Sequence, residues 1–185
     1  MPKHAITRVT LRQEPHWYPT GLIDRLKGPK QLHNWLLDTG SLTAKIRLGC
    51  PDMEVNILSE TYEKPLVSEA QQLNIPLSQK AWIRCVFLTC DGQPIVYART
   101  VIPYWQTGNP WYALKHLGNR PLGEILFQLP GLKRTPFQVT QTHATNWPHI
   151  DLPSSEQIKT FARKSVFIQN KYPLLLTEAF IDSAS

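Results

Sequence analysis

The sequence predicts an α+β fold: a single domain, residues 1–185, built on a mainly antiparallel sheet with helices packed against it. Three observations predict it. Strand-like runs outnumber helical ones, and short turn signals join them, so neighbouring strands should run antiparallel. The two runs between Ala81 and Pro103 are apolar on both faces, so helices must cover at least one side. At 185 residues the chain fits one domain and buries about 70% of its unfolded surface without a disulfide or metal staple.

Taken in order, residues 1–28 read as an irregular arm, with Pro15 and Pro19 flanking Trp17 and Tyr18 and the aromatics packing onto the body. Gly28-Pro29 opens a helix, because proline is tolerated in a first turn, and Asp38-Thr39-Gly40 closes it. Ser41 or Thr43 then caps a second short helix through Arg47. The corner between them leaves the backbone N–H groups of Leu42 and Thr43 free to face an anion; a plain capped corner is the alternative. Met53–Tyr62 alternates as a strand, and Ser68–Leu73 reads as a short helix between Pro65 and Pro76. Helices follow at Trp111–Leu117, ended by Gly118, and at Leu122–Gln128, opened by Pro121. Leu132–His143 reads as a strand. Ala144–Ser155, rich in proline and polar residues, reads as a surface loop. A helical turn at Glu156–Ala162 precedes a second hairpin, Arg163–Gln169 and Pro173–Ile181, turning at Asn170-Lys171.

The hairpin Ala81–Pro103 turns at Asp91-Gly92, residues that tolerate the positive φ of a two-residue turn. Counting outward from a Cys90–Gln93 pair sets Arg84 opposite Arg99. Trp82, Val86 and Leu88 then share the face of Arg84, and Ile95, Tyr97 and Val101 that of Arg99. Two guanidiniums about 5 Å apart repel by roughly 3 kcal/mol at an effective dielectric near 20, so a negative group belongs beside them. The last strand supplies one. Glu178 shares a face with Leu174, Leu176 and Phe180, where a lone carboxylate is costly. Two readings stand. One is a buried salt bridge from Glu178 to Arg84 or Arg99. The other is a closed polar pocket in which arginine grips a substrate carboxylate while Glu178 meets a hydroxyl or a proton.

Composition narrows the function classes. The net charge of +6 comes from scattered lysines and arginines, with no basic helical stripe or aromatic binding signature, so no nucleic-acid partner is expected. The six histidines show no metal-ligand spacing, and no phosphate loop, nucleophile elbow or dinucleotide fingerprint occurs. An enzyme built this way would use neither metal nor covalent intermediate. The odd cysteine count, at Cys50, Cys85 and Cys90, reads as reduced thiols in a cytoplasmic protein; Cys85 and Cys90 point to opposite faces of one strand. No apolar window is long enough to span a membrane.

Several blocks together resemble the chorismate pyruvate-lyase family: W-L-L-D-T-G-S-L-T (Trp35–Thr43), W-I-R-C-V-F-L-T-C-D-G-Q-P-I-V-Y-A-R-T-V-I-P (Trp82–Pro103), L-G-N-R-P-L-G-E-I-L-F (Leu117–Phe127), A-R-K-S-V-F from Ala162 and P-L-L-L-T-E-A-F ending at Phe180. They fall in the family's order. The resemblance implies a cofactor-free enzyme that converts chorismate to 4-hydroxybenzoate and pyruvate, a step toward ubiquinone; separately, a monomer is expected. It also implies a six-stranded antiparallel sheet with an enclosed site. By this resemblance Arg84 holds the ring carboxylate, Glu178 meets the ring hydroxyl, and Leu42 and Leu122 contribute contacts from their corners. Arg99 is added to the binding set from the hairpin register, next to the departing enolpyruvate oxygen. A rival class is a non-catalytic sensor of small aromatic carboxylates with the same fold, which binds its ligand without releasing pyruvate.

Overall fold

The computed structural model describes residues 13–181. Its centre is an antiparallel sheet. The elements are β1 (Tyr18–Pro19), α1 (Lys30–Leu36), α2 (Leu42–Gly49), β2 (Glu54–Glu63), α3 (Val67–Leu73), β3 (Ala81–Cys90), β4 (Gln93–Ile102), α4 (Leu122–Leu126), β5 (Lys133–Arg134), β6 (Gln138–His143), β7 (Lys159–Gln169) and β8 (Tyr172–Ile181), with 3-10 turns at Thr20–Arg25, Pro110–His116 and Ala144–Asn146. The strand order is β1-β6-β7-β8-β4-β3-β2, with β5 also paired to β7. The sheet therefore has eight strands rather than six. The long ones match the expected number, and the two-residue β1 and β5 are the additions. Strands β5 and β6 lie end to end along β7, where a single strand was expected. Pro136, which has no N–H to give the ladder, sits in the gap between them.

Local chemistry explains the elements. Ser41 caps α2 by accepting from the Ala44 N–H at 3.3 Å. Leu42 and Ile46, one turn apart, turn inward. The Glu69 carboxylate reaches back to the Leu66 N–H at the start of α3, and Glu14 accepts from Val67 and Ser68. Both hairpins turn with two residues at positive φ, Asp91 and Gly92 in one and Asn170 and Lys171 in the other.

The sheet is covered on both faces. One face packs α1, α2, α4 and the Pro110–His116 turn through Leu36, Ile46, Leu126 and Trp111. The other packs α3, Trp17 and the stretch after β6 through Ala70, Leu73, Trp147 and Ile150. Ala144–Ser155 is therefore not a surface loop. Trp147 is 1% exposed, and its indole donates to the Thr160 hydroxyl. The stretch closes one side of the core. Likewise Glu156–Ala162 forms no helical turn, because β7 already begins at Lys159. Of the expected arm, residues 1–12 lie outside the described residues, and Trp17 and Tyr18 pack on opposite faces of the sheet.

The hairpin holds the main correction. Cys90 does pair with Gln93, but the register shifts between Leu88 and Thr89: Thr89 pairs with Pro94 and Leu88 with Val96. Ile95 is the extra residue, a bulge next to a proline. One residue of slip turns every later side chain of β4 over. Arg84 therefore opposes Thr100, and Arg99 opposes Cys85 on the other face. The cysteines are a second correction. Cys50, at the end of α2, is bonded to Cys90, at the end of β3, and only Cys85 remains a free thiol.

Candidate active site

A cavity opens on the helix-covered face between its two apolar clusters. Val55, Val86, Leu88, Ala98, Leu126, Phe127, Phe167 and Leu176 make its walls greasy. Arg84, Arg120, Arg134, Glu178, Thr43 and Thr100 give it polar points. Leu42 and Leu122 line it from the α1–α2 and α4 corners. Four of the five residues expected from sequence (Leu42, Arg84, Leu122 and Glu178) thus meet around one space.

Arg84 rises from the middle of β3 and is 3% exposed. Its guanidinium pairs with Glu60 on β2 and donates to the Gly118 carbonyl at 2.7 Å. Gly118 sits at φ +55, which lets the chain end the 3-10 turn there. Glu178 stands two strands away on β8, beside Ala98. With strands about 4.8 Å apart, the two backbones are separated by roughly 10 Å across the sheet. Arg84 and Glu178 make no ion pair with each other among the described residues; the cavity lies between them. The salt bridge expected from Glu178 to Arg84 or Arg99 therefore does not form among the described residues.

The partner of Glu178 is a residue that sequence reasoning passed over. Arg163, directly opposite on β7, donates its Nε–H to the Glu178 carboxylate at 2.6 Å. It also donates to the carbonyls of Trp35 and Asp38. One buried guanidinium thus positions both the acid and the α1–α2 corner. The signal was present: extending the β7 alternation back to Phe161 sets Arg163 on an apolar face, facing Glu178.

The two corners meet closely. A Cβ on Gly123 would lie 3.0 Å from the Thr43 hydroxyl and 3.2 Å from that of Ser41, so any larger residue would push these hydroxyls aside by a few tenths of an ångström where α4 meets the start of α2. Arg47 on α2 pairs with Glu124 on α4 across the same seam. Together these corners form the roof of the cavity.

Arg99 is absent from this cavity. On the opposite face it is 1% exposed and grips Glu69 with two hydrogen bonds, 2.8 and 3.1 Å, and a third N–H meets the Cys85 sulfur. Burial opposes its charge, but the Glu69 carboxylate outweighs this and holds its pKa well above the ordinary arginine value. The bidentate bond ties α3 to the sheet.

The family described as chorismate lyase matches residues 12–184. A protein of Hydrogenovibrio crunogenus named probable chorismate pyruvate-lyase is 79% identical over 184 residues, covering 100% of both chains. Proteins with the same name from Aromatoleum aromaticum and Halorhodospira halophila are each 33% identical, covering 85% and 91% of this chain and 88% and 90% of theirs. Among solved structures, a GntR-family transcriptional regulator from Bacillus cereus superposes with a TM-score of 0.51 at 12% identity, over 72% of this chain and 94% of that one; this likeness concerns the fold alone. With a family match along nearly its whole length and a relative that differs at only one residue in five, this chain belongs to the chorismate lyase family.

Proposed function

We propose that the protein is a chorismate pyruvate-lyase, turning chorismate into 4-hydroxybenzoate and pyruvate. One observation carries the reading: a buried arginine and a buried carboxylate, two strands apart, line one largely apolar cavity. Arg84 binds the ring carboxylate. Glu178, braced by Arg163, accepts the hydrogen bond of the ring hydroxyl at the far end. The C3–O bond to the enolpyruvyl group breaks, and the hydrogen on C4 leaves as a proton. The ring becomes aromatic with its hydroxyl retained, and the fragment takes up a proton at carbon to become pyruvate. Aromatisation drives the step, so the protein has mainly to orient the substrate and stabilise charge on the departing oxygen. Glu178 lies at the C4 end, where that proton departs.

The names of the relatives support the same reaction. Supply of 4-hydroxybenzoate toward ubiquinone, action as a monomer and a cytoplasmic location complete the proposal. No helix among the described residues is long and apolar enough to cross a membrane. The Cys50–Cys90 bond is unusual for a cytoplasmic protein, and a thiol count on freshly isolated protein addresses it. The test of function is direct. Purified protein mixed with chorismate should release 4-hydroxybenzoate and pyruvate in equal amounts. Saturable binding of chorismate with no pyruvate released would instead mark a sensor.

A further inference from the structure

Arg134 lines the cavity but belongs to none of its ion pairs. Arg84 has Glu60, Arg163 has Glu178, and Arg99 on the other face has Glu69. Among the described residues Arg134 has no carboxylate within ion-pair distance. Its Nε–H goes to the Ser165 hydroxyl at 2.8 Å and one further N–H to the Thr39 carbonyl at 3.2 Å. The guanidinium lies over the rings of Phe137 and Phe167, at 4.0 and 4.6 Å from their centres. It is thus pinned flat by neutral groups, with N–H donors left over. Burial lowers its pKa to about 10 and the charge of Glu178 pulls the other way, so it stays cationic at neutral pH.

Its place along the sheet decides what it can meet. The order across the cavity floor is Arg84 on β3, then β4, then Glu178 on β8, then β7, then Arg134 on β5. Arg134 therefore sits beyond the Glu178 end, away from Arg84. Chorismate carries its second carboxylate on the ether at C3, beside the C4 hydroxyl and away from the ring carboxylate. A ring held by Arg84 at one end and Glu178 at the other brings that carboxylate to the Arg134 end.

We propose that Arg134 is the binding residue for the enolpyruvyl carboxylate, and so the group that distinguishes the dianionic substrate from the monoanionic product. This rests on the lyase reading of the same cavity. It gives Arg134 the place that the hairpin register had assigned to Arg99. It also sets a direction for turnover: once pyruvate leaves, Arg134 loses its anion, and the remaining product is held only through Arg84 and Glu178. Arg120, the other cavity arginine with no carboxylate within ion-pair distance among the described residues, is exposed, and it follows Gly118 at the Arg84 end.

The test compares two ligands that differ by this carboxylate, 4-hydroxybenzoate and 3-(carboxymethoxy)-4-hydroxybenzoate. Dissociation constants are measured by calorimetry for the wild-type protein, Arg134→Met, Arg134→Lys and Arg120→Met. In the wild type the dianion should bind at least tenfold more tightly. Arg134→Met should erase that advantage while changing 4-hydroxybenzoate affinity less than threefold, Arg134→Lys should restore part of it, and Arg120→Met should keep it. kcat/KM for chorismate should fall about 100-fold in Arg134→Met. Equal wild-type affinity for the two ligands, or an advantage that survives Arg134→Met, overturns the proposal. The wild-type comparison stands even if Arg134→Met fails to fold. Failure of the lyase reading looks different: the wild type binds both acids yet releases no pyruvate from chorismate.

Discussion

The two faces of the sheet use the same charged side chains for different ends. Arg84 and Arg99 sit on neighbouring strands, one register step apart, both nearly inaccessible. Arg99 is closed off: Glu69 takes two of its donors, Glu63 and Cys85 crowd the third nitrogen, and the residue is 1% exposed. Arg84 is tied at its edges, to Glu60 and the Gly118 carbonyl, and still looks into open space. Glu69 and Glu178 repeat the contrast. Each has one arginine partner among the described residues, but Glu178 borders the Arg84 cavity while Glu69 is packed at 2% exposure on the other face. Burial and charge alone do not mark a site. Unfilled volume beside a partly committed charged group does.

Breaking the closed face should cost stability and spare chemistry. Glu69→Ala removes the bidentate partner of a buried guanidinium and leaves it only the longer Glu63 contact at 3.5 Å, which costs about 3 kcal/mol. For a domain of this size that lowers Tm by on the order of 10 °C. At a temperature where the variant stays folded, kcat/KM for chorismate should remain within threefold of wild type. A loss of activity beyond that, at unchanged Tm, would bring Arg99 back into the site.

Glu178→Gln probes the open face. It should lower kcat/KM about 100-fold, near 2.7 kcal/mol, through the lost charge beside the ring hydroxyl. It also weakens the Arg163 bond, so Arg163→Lys serves as its companion. If Glu178 acts through the position Arg163 gives it, Arg163→Lys should lower kcat with KM little changed. Unchanged kcat in Arg163→Lys would remove Arg163 from the positioning role.

A smaller effect belongs to Lys164 on the closed face. It is 2% exposed, has no carboxylate within ion-pair distance among the described residues, and lies over the Trp17 ring at 4.4 Å. Burial pulls its pKa down to about 8 from an ordinary 10.5. Between those values the unfolded chain binds the proton and the folded one does not, so stability from this group rises as pH climbs from about 8 to 10.5. The expected gain is about 1–3 kcal/mol. Lys164→Met should remove that rise from a series of denaturant melts, and an unaltered pH slope would show that Lys164 does not cause it.

The smallest effect concerns the roof. Gly123→Ala presses a methyl against the Thr43 hydroxyl and should shift opening of the corners a few-fold. Product held in a closed apolar pocket should make release slow. The single-turnover rate should therefore exceed steady-state kcat, and Gly123→Ala should alter kcat while leaving the single-turnover rate alone. Equal rates in the wild-type protein would mean that release does not limit turnover.

Much of this architecture was readable in the residues, for local reasons. Asp91-Gly92 and Asn170-Lys171 fix their turns through their own φ preferences, and Ser41 caps its helix three residues away. The alternation around Glu178 identifies its face correctly. What could not be read depends on single residues acting at a distance. The bulge at Ile95 inverts β4 and moves Arg99 to the far face, and Pro94 was its only sequence mark. The Cys50–Cys90 bond joins positions 40 apart, beyond any spacing rule. Ala144–Ser155 looks polar on average, but its core role rests on a few side chains, chiefly Trp147 and Ile150 with Ala144 and Leu152 beside them. Arg134 was hidden by the break at Pro136, which divides one expected strand into β5 and β6.

The central claim is that Arg84 faces a largely apolar cavity shared with Glu178 and fixes an aromatic acid there. Arg84→Ala tests it most directly, followed by 4-hydroxybenzoate formation from chorismate alongside a thermal melt. The account predicts at least a 1,000-fold fall in kcat/KM, about 4 kcal/mol, in a protein that still melts cooperatively. A folded Arg84→Ala protein turning over chorismate at close to the wild-type rate would contradict it.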